Sequence, residues 1–268
     1  MFADKLLAKK IESAIAHNHK LYTEHCISKN LETNVAFLDV LGGVACYINE
    51  NDPLSQAIGI GLKDNVSKED FDQLENFYRE KNATCAIELC PLVHPDLLYW
   101  LNVRNYTVIE FSNMMFLDLT RPIKLLSSSA EIIVSETEDY DLFSSVVALG
   151  FSEKENPMSR AISRFIRTYA ELNHVKCFIA KIDRVAVGGA SIAINSNGVA
   201  DLALTSTLAD YRGRGIQRAL IYYRLMYALE QNASLAVATF SPGSISQRNF
   251  ERYKFRLAYT RAKFEKKV

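Results

Sequence analysis

The chain has 268 residues, of which 49% are hydrophobic and 23% charged, a balance that fits a folded protein of one large domain or two of ordinary size. Lys plus Arg and Asp plus Glu number 31 each, so the net charge is zero and gives no general pull toward nucleic acid or an anionic membrane. The five cysteines are an odd number without a C-x-x-C pair and read as reduced core thiols; the charged start and the lack of ~18 consecutive apolar residues predict a soluble, unexported, cytoplasmic protein.

Leu6, Leu7, Ile11, Ala14 and Ile15 recur at helical spacing and predict a first helix over 3–16. Strand-like runs follow at 34–40, 43–49 and 56–62, separated by Gly, Asn, Asp and Pro. Ser67, with Asp70 three residues on, marks the start of a helix that turns Phe71, Leu74, Phe77 and Tyr78 inward. A strand "TCAIEL", a short helix over 95–103 and a long strand "YTVIEFSNMMFLDL" complete the first half.

The segment "TRPIKLLSSSAE" at 120–131 reads as a linker and divides the chain into 1–122 and 123–268. Beyond it come a strand "EIIVS", helical stretches over 138–149 and 157–172, and a hairpin turning at Asp183-Arg184. A strand "VADLALTST", a long helix after Gly215, a strand "SLAVATF", a short helix over 244–253 and a last strand "FRLAYTRAKF" follow. Each half ends on strand, proline, short helix, aromatic, strand, with Pro91 matching Pro242 and Tyr106 matching Phe255, the mark of an internal duplication.

The stretch "YRGRGIQRAL" between strand and helix has the makings of a phosphate cradle, because the first N–H groups of a helix lack intrahelical partners and glycine lets the backbone approach an anion. A P-loop is excluded: one residue, where four are required, separates Gly213 from Gly215. A dinucleotide fingerprint fits poorly, with Arg218 where the third glycine belongs. Arg212-Gly213-Arg214-Gly215-Ile216-Gln217 resembles the pyrophosphate loop Gln/Arg-x-x-Gly-x-Gly/Ala of the GNAT N-acetyltransferases, with Gln217 in place of the last small residue. The resemblance runs over residues 130–268, including "SPGSISQRNFERYKFRLAYTR", where Lys254-Phe255 stands for the usual Gly-Phe. The first half keeps the order of elements but has "LKDNVSKED" where the loop belongs, and so is similar to a degenerate copy.

The resemblance implies an α+β fold of two GNAT-like domains, each a mixed, mostly antiparallel sheet flanked by helices, and acetyl-coenzyme A as co-substrate. It implies Thr205, Ser206 and Thr207 along the pantetheine arm, a backbone N–H near Leu208 as donor to the thioester carbonyl, and Arg212, Gly213, Arg214, Gly215, Ile216 and Gln217 at the phosphates. Ser246 and Asn249 are further candidates for contact with coenzyme A; Ser244 reads equally as a helix cap. The proton donor of the family is commonly a tyrosine at the place held here by Phe250, which has no proton to give. Tyr253 and Tyr259 are the substitutes near it in sequence, Tyr253 reading also as a packed aromatic, and Asp201 is a candidate base or an exposed strand carboxylate. Tyr222, Tyr223, Leu225, Met226 and Leu229 are expected on the buried face of the helix.

The expected activity is direct transfer of an acetyl group to an amine of a small molecule or peptide. No metal site is expected, since none of the five histidines forms an H-x-x-x-H pair with a supporting carboxylate. Phe250 also motivates a non-catalytic acyl-coenzyme A sensor; a transferase using charged transfer RNA would need a basic groove that the neutral charge does not encourage.

Overall fold

A computed structural model describes residues 3–62, 66–123, 131–152 and 160–266, without the side chains of 160 and 161. Parts of the 120–131 linker, of the "LKDNVSKED" segment and of the start of the helix expected at 157–172 lie outside the described residues. The chain forms two compact units that are not contiguous in sequence: one holds the residues up to Met114, Phe240–Pro242 and the chain from Leu257 on, and the other holds Met115–Thr239 and Gly243–Arg256.

In the first unit, helix α1 (Lys5–Ser28) starts at Asp4, whose carboxylate accepts the N–H of Leu7 at 2.8 Å. Of the predicted stripe it buries Leu7, Ile11, Ala14 and Ile15 but leaves Leu6 exposed, and it runs on to Ser28 because Tyr22 and Cys26 extend the same buried face. Strands β1 (Ala36–Val40), β2 (Gly43–Tyr47), β3 (Ala57–Ile58) and β4 (Ala86–Leu89) lie in chain order. The strand expected over 56–62 is cut to two residues because Gly59 and Gly61 take φ of +70° and +74°, which ends the extended run. Helix α2 (Lys68–Arg79) has the Ser67–Asp70 capping box and buries Phe71, Leu74, Phe77 and Tyr78; α3 (Pro95–Val103) leads into β5 (Tyr106–Asp118).

The last strand of the chain, β11 (Arg256–Lys266), also belongs to this unit from Leu257 on. It lies between β4 and β5 and pairs antiparallel with β4, Ala262 opposite Leu89. Reciprocally, the end of β5 from Met115 belongs to the second unit, where the next N–H, that of Leu119, donates to Ser234 O at 3.1 Å. Each compact unit thus includes a strand segment from across the position 122/123.

The second unit runs β6 (Ile133–Thr137), α4 (Tyr140–Phe151), α5 (Arg160–Ala170), β7 (Val175–Ile182), β8 (Val185–Ile194), β9 (Val199–Thr207), α6 (Ile216–Glu230), β10 (Leu235–Phe240) and α7 (Ile245–Arg252). The sheet order is β10-β9-β8-β7-β6; β6 to β9 are antiparallel neighbours, and β9 and β10 are parallel. The β7–β8 hairpin turns at Asp183 and Arg184, both at positive φ as a two-residue turn of this hand requires. Close packing on opposite faces marks the centre of the sheet: a Cβ on Gly188 would meet Ile216 of α6 at 2.8 Å, and one on Gly189 would meet Val147 of α4 at 2.8 Å. All five cysteines are free and buried.

Candidate active site

Two irregularities shape one end of the second unit. The parallel pairing of β9 with β10 extends from Val199–Leu235 to Asp201–Val237 and stops, so that among the described residues Leu202–Thr207 runs on without a strand partner on that edge. On its other edge β9 is bulged: Gly189 faces Ser206 and Ser191 faces Ala203, so that Ala190 stands opposite both Leu204 and Thr205. Leu204 pays for the bulge with φ of +45°, a strained conformation for a branched side chain. Beyond the bulge the N–H of Leu208 donates to Val187 O at 2.9 Å. Since N–H directions alternate along a strand, the N–H of Thr207 points to the open edge. The N–H of Leu208 itself, expected as a donor, is therefore taken up by β8.

From β9 the chain passes through a single 3₁₀ turn (Ala209–Tyr211) into the glycine-arginine loop. Gly213 takes φ of +77°, and Gly215, the N-cap of α6, φ of +88°. A Cβ on Gly213 would meet nothing within 4 Å, so backbone conformation rather than space calls for glycine there. Among the described residues the N–H groups of Gly213, Arg214, Gly215, Ile216 and Gln217 have no acceptor. Five consecutive donors at the positive end of a four-turn helix are an anion cradle.

The two loop arginines differ. Arg212 holds the loop in place, its Nη2 donating to Gly150 O at 2.9 Å and its Nε to Thr207 O at 3.3 Å. Arg214 is exposed, with its guanidinium 5.2 Å from the centre of the Tyr211 ring. Gln217, Ser246 and Asn249 are brought together: Gln217 Nε2 donates to Ser246 Oγ at 3.3 Å, and Asn249 Nδ2 donates to Gln217 Oε1. These bonds tie α7 to the first turn of α6. Ser206 is buried and its hydroxyl ties β9 to α4 by donating to Val147 O at 2.9 Å, whereas Thr205 Oγ1 donates within the strand to Ala203 O at 3.3 Å.

Asp201 sits at the last β9–β10 pair, where the strands part, and is buried rather than exposed. It pairs with Ala193, which lies on the same face as Gly189 by strand alternation, so its carboxylate is on the side of α4 and α5. The charge of Asp201 adds to burial in raising the Tyr169 hydroxyl pKa well above the ordinary value.

Neither tyrosine expected near the chemistry stands free as an acid. Tyr253 caps the end of α7 and donates to Arg218 O at 2.8 Å; burial pushes its hydroxyl up to about 12. Tyr259 lies in the first unit, where its hydroxyl donates to Glu12 Oε1 at 2.6 Å, and burial raises its pKa. The same Glu12 oxygen accepts from Arg261 Nε at 2.8 Å, so this tyrosine belongs to a buried ionic network. Phe250 is buried edge-to-face against Phe255, ring centres 4.9 Å apart.

One residue went unnoticed in the sequence. Arg224, fully buried on α6, donates from Nη1 to Ser191 O at 3.1 Å and to Ala203 O at 3.3 Å, the pair at which the bulge begins. The helix face differs accordingly from the expected one. Ala219, Leu220, Ile221, Arg224, Leu225 and Ala228 face inward, while Tyr223 is exposed and Tyr222, Met226 and Leu229 are half-buried. Aliphatic side chains and Arg224, with no tyrosine among them, occupy the buried side of α6. Leu220 and Ile221, four and three residues before Arg224, were the available signal for its burial.

The sequence family described as Acetyltransferase (GNAT) family matches residues 143–255. A solved structure of a GCN5-related N-acetyltransferase from Kribbella flavida is 15% identical, with 96% of each chain covered and a TM-score of 0.67. A tandem GNAT protein from the clavulanic acid biosynthesis pathway is 15% identical at a TM-score of 0.56, over 74% of this chain and 68% of the other. A GCN5-related N-acetyltransferase from Sphaerobacter thermophilus is 13% identical at a TM-score of 0.55, over 72% and 64%. No curated protein matches the chain. Residues 143–255 thus match the GNAT acetyltransferase family, and the GNAT fold extends over nearly the whole chain. Among the described residues no group of three or more His, Cys, Asp or Glu is placed to hold a metal, and no helix is long and apolar enough to cross a membrane.

Proposed function

We propose that the second half binds acetyl-coenzyme A and transfers its acetyl group directly to an amine of a small molecule or peptide, and that the first half is a degenerate copy of the same domain. The observation that carries this is the row of five unpartnered N–H groups from Gly213 to Gln217, next to the strand edge that β10 leaves open. The N–H cradle suits the pyrophosphate, the exposed Arg214 adds a charge-assisted contact, and the open edge from Leu202 to Thr207 offers backbone groups to an extended pantetheine arm. Thr207 N–H is a donor to the arm at the end of the open edge next to the phosphates, and Asp201, at the far end on the α4/α5 side where the strands part, takes the proton from the attacking amine.

Calorimetric titration with acetyl-coenzyme A, ATP and NAD tests the donor. Saturable binding of acetyl-coenzyme A, with ATP and NAD at least ~10-fold weaker, is expected; no saturable heat with acetyl-coenzyme A would sink the reading. A protein that binds acyl-coenzyme A without turnover is the second reading, favoured by one observation, the buried Phe250 in place of a hydroxyl.

A further inference from the structure

Arg224 is a cation held fully inside the second unit, and among the described residues its hydrogen bonds all go to carbonyls. Nε donates to Leu220 O at 3.1 Å, and Nη1 is shared between Ser191 O at 3.1 Å and Ala203 O at 3.3 Å. A cation buried without a carboxylate costs stability that an apolar side chain there would not. Ser191 and Ala203 are the last regular pair before the bulge, and the next residue, Leu204, carries the strain at φ of +45°. The first unit has a matching irregularity without such a cation. Its strands β2, β3 and β4 repeat the arrangement of β8, β9 and β10, antiparallel and then parallel. Ile58 faces Val44 as Ala203 faces Ser191, and the residue that follows is again left-handed, here Gly59 at φ of +70°. Gly43 precedes Val44 as Ala190 precedes Ser191, and a Cβ on Gly43 would meet Ile58 O at 2.3 Å and Ile60 N at 2.6 Å. Helix α2, which follows β3 as α6 follows β9, buries no charged residue. One copy thus builds the irregularity from two glycines, the other from Ala190, Leu204 and a buried arginine.

We propose that Arg224 is a positioning residue of the carrier site: its hold on the carbonyls of Ser191 and Ala203 keeps Leu204 left-handed, and so keeps the unpaired stretch of β9 shaped for the pantetheine arm. This rests on the coenzyme A reading. Arg224 is fully enclosed and touches no part of the carrier; it acts through the strand. A bulge bends its strand and increases the twist, and this one falls at residues 204 and 205, within the Leu202–Thr207 stretch that β10 leaves open. The hydrogen bonds of the guanidinium offset what a side chain at positive φ costs, whereas glycine at the same place removes that cost. Leu204 and Arg224 are therefore coupled, and the first unit, with Gly59, shows the form that needs no arginine.

The test is calorimetric binding of two ligands, acetyl-coenzyme A and adenosine 3′-phosphate 5′-diphosphate, which has the phosphates of the carrier and no arm. Both are titrated into the wild type, Arg224→Met, and Arg224→Met combined with Leu204→Gly. Methionine keeps a long side chain and removes the hydrogen bonds. One or two hydrogen bonds lost along the arm amount to about tenfold in affinity, so Arg224→Met is expected to weaken acetyl-coenzyme A by about 10-fold or more and to leave the armless ligand within about threefold. Leu204→Gly then gives β9 the residue type that the first unit uses, and is expected to return acetyl-coenzyme A to within about threefold of wild type. A merely structural role would weaken both ligands together or neither, and would not be relieved by a glycine on the strand. If near-UV circular dichroism shows Arg224→Met unfolded, the double variant carries the test and is expected to fold and to bind both ligands as the wild type does. Unchanged acetyl-coenzyme A affinity in Arg224→Met, a parallel loss of both ligands, no recovery with Leu204→Gly, or a double variant that is also unfolded would overturn the proposal and leave the carrier site standing. A wild type that fails to bind either ligand would overturn the coenzyme A reading and this proposal with it.

Discussion

Replacing Arg214 and Gly215 together by glutamate is expected to weaken acetyl-coenzyme A binding by at least ~10²-fold while the protein stays folded. The charge at the start of α6 changes from one arginine to two carboxylates beside the N–H groups of Gly213 to Gln217. A charge-assisted hydrogen bond to phosphate is worth roughly 1.5–3 kcal/mol, and each ~1.4 kcal/mol is tenfold in affinity, so losing the arginine contact and adding repulsion exceeds two decades. The fold tolerates the change because Arg214 is exposed and a Cβ on Gly215 would have Arg218 Nη2 as its nearest neighbour, at 3.6 Å. The cost of a side chain at φ of +88° is of order 1–3 kcal/mol, below the ~5–15 kcal/mol stability of an ordinary domain. Calorimetry and circular dichroism on the same sample check both halves of the expectation; unchanged affinity in a folded variant would remove the loop from the binding site.

Asp201→Asn is expected to leave acetyl-coenzyme A binding intact and to lower kcat/KM for the amine by about 10²-fold or more near pH 7. Asparagine matches the carboxylate in size, so the buried position at the end of the β9–β10 pairing is kept while the proton acceptor is lost. The defect depends on pH in a direction that a packing defect does not share. An alkylamine near pKa 10.4 is less than about a thousandth neutral at pH 7, so a base matters most there, and the gap between variant and wild type narrows as pH rises and the amine loses its proton to solvent. Rate profiles that stay parallel across pH, or a loss under about threefold, would assign Asp201 to the strand alone.

The conformation of the glycine-arginine loop was legible in sequence because its requirements are local. Gly213 and Gly215 announce backbone at positive φ, and the strand before them and the helix after them have clear periods, so the cradle follows from neighbours along the chain. The chemistry was less legible because it depends on partners far apart in sequence. Tyr253 and Tyr259 were candidates by nearness to Phe250, yet one hydroxyl is bound to Arg218 O and the other to Glu12, more than two hundred residues away. Arg224 was missed for the same reason: the carbonyls of Ser191 and Ala203 that hold its guanidinium are 33 and 21 residues away along the chain. The exchange of β11 and the end of β5 was hidden for a related reason: strand pairing is decided between distant segments, and the hydrophobic pattern of a buried strand is the same whichever sheet receives it. Gly59 and Gly61 carried a signal that was present and underused, since two glycines in a short run mark where a strand ends.

The central claim is that the site transfers acetyl groups and does more than hold their carrier. Release of free coenzyme A thiol from acetyl-coenzyme A, followed with the purified full chain across α-amines, alkylamines, arylamines and lysine-containing peptides, tests it most directly. At least one amine class is expected to release thiol in proportion to protein, with a matching acetylated product by mass spectrometry and loss of both signals in the Arg214→Glu, Gly215→Glu variant. Saturable binding of acetyl-coenzyme A with no thiol released above the protein-free rate by any class would contradict the account and leave a carrier-binding module in its place.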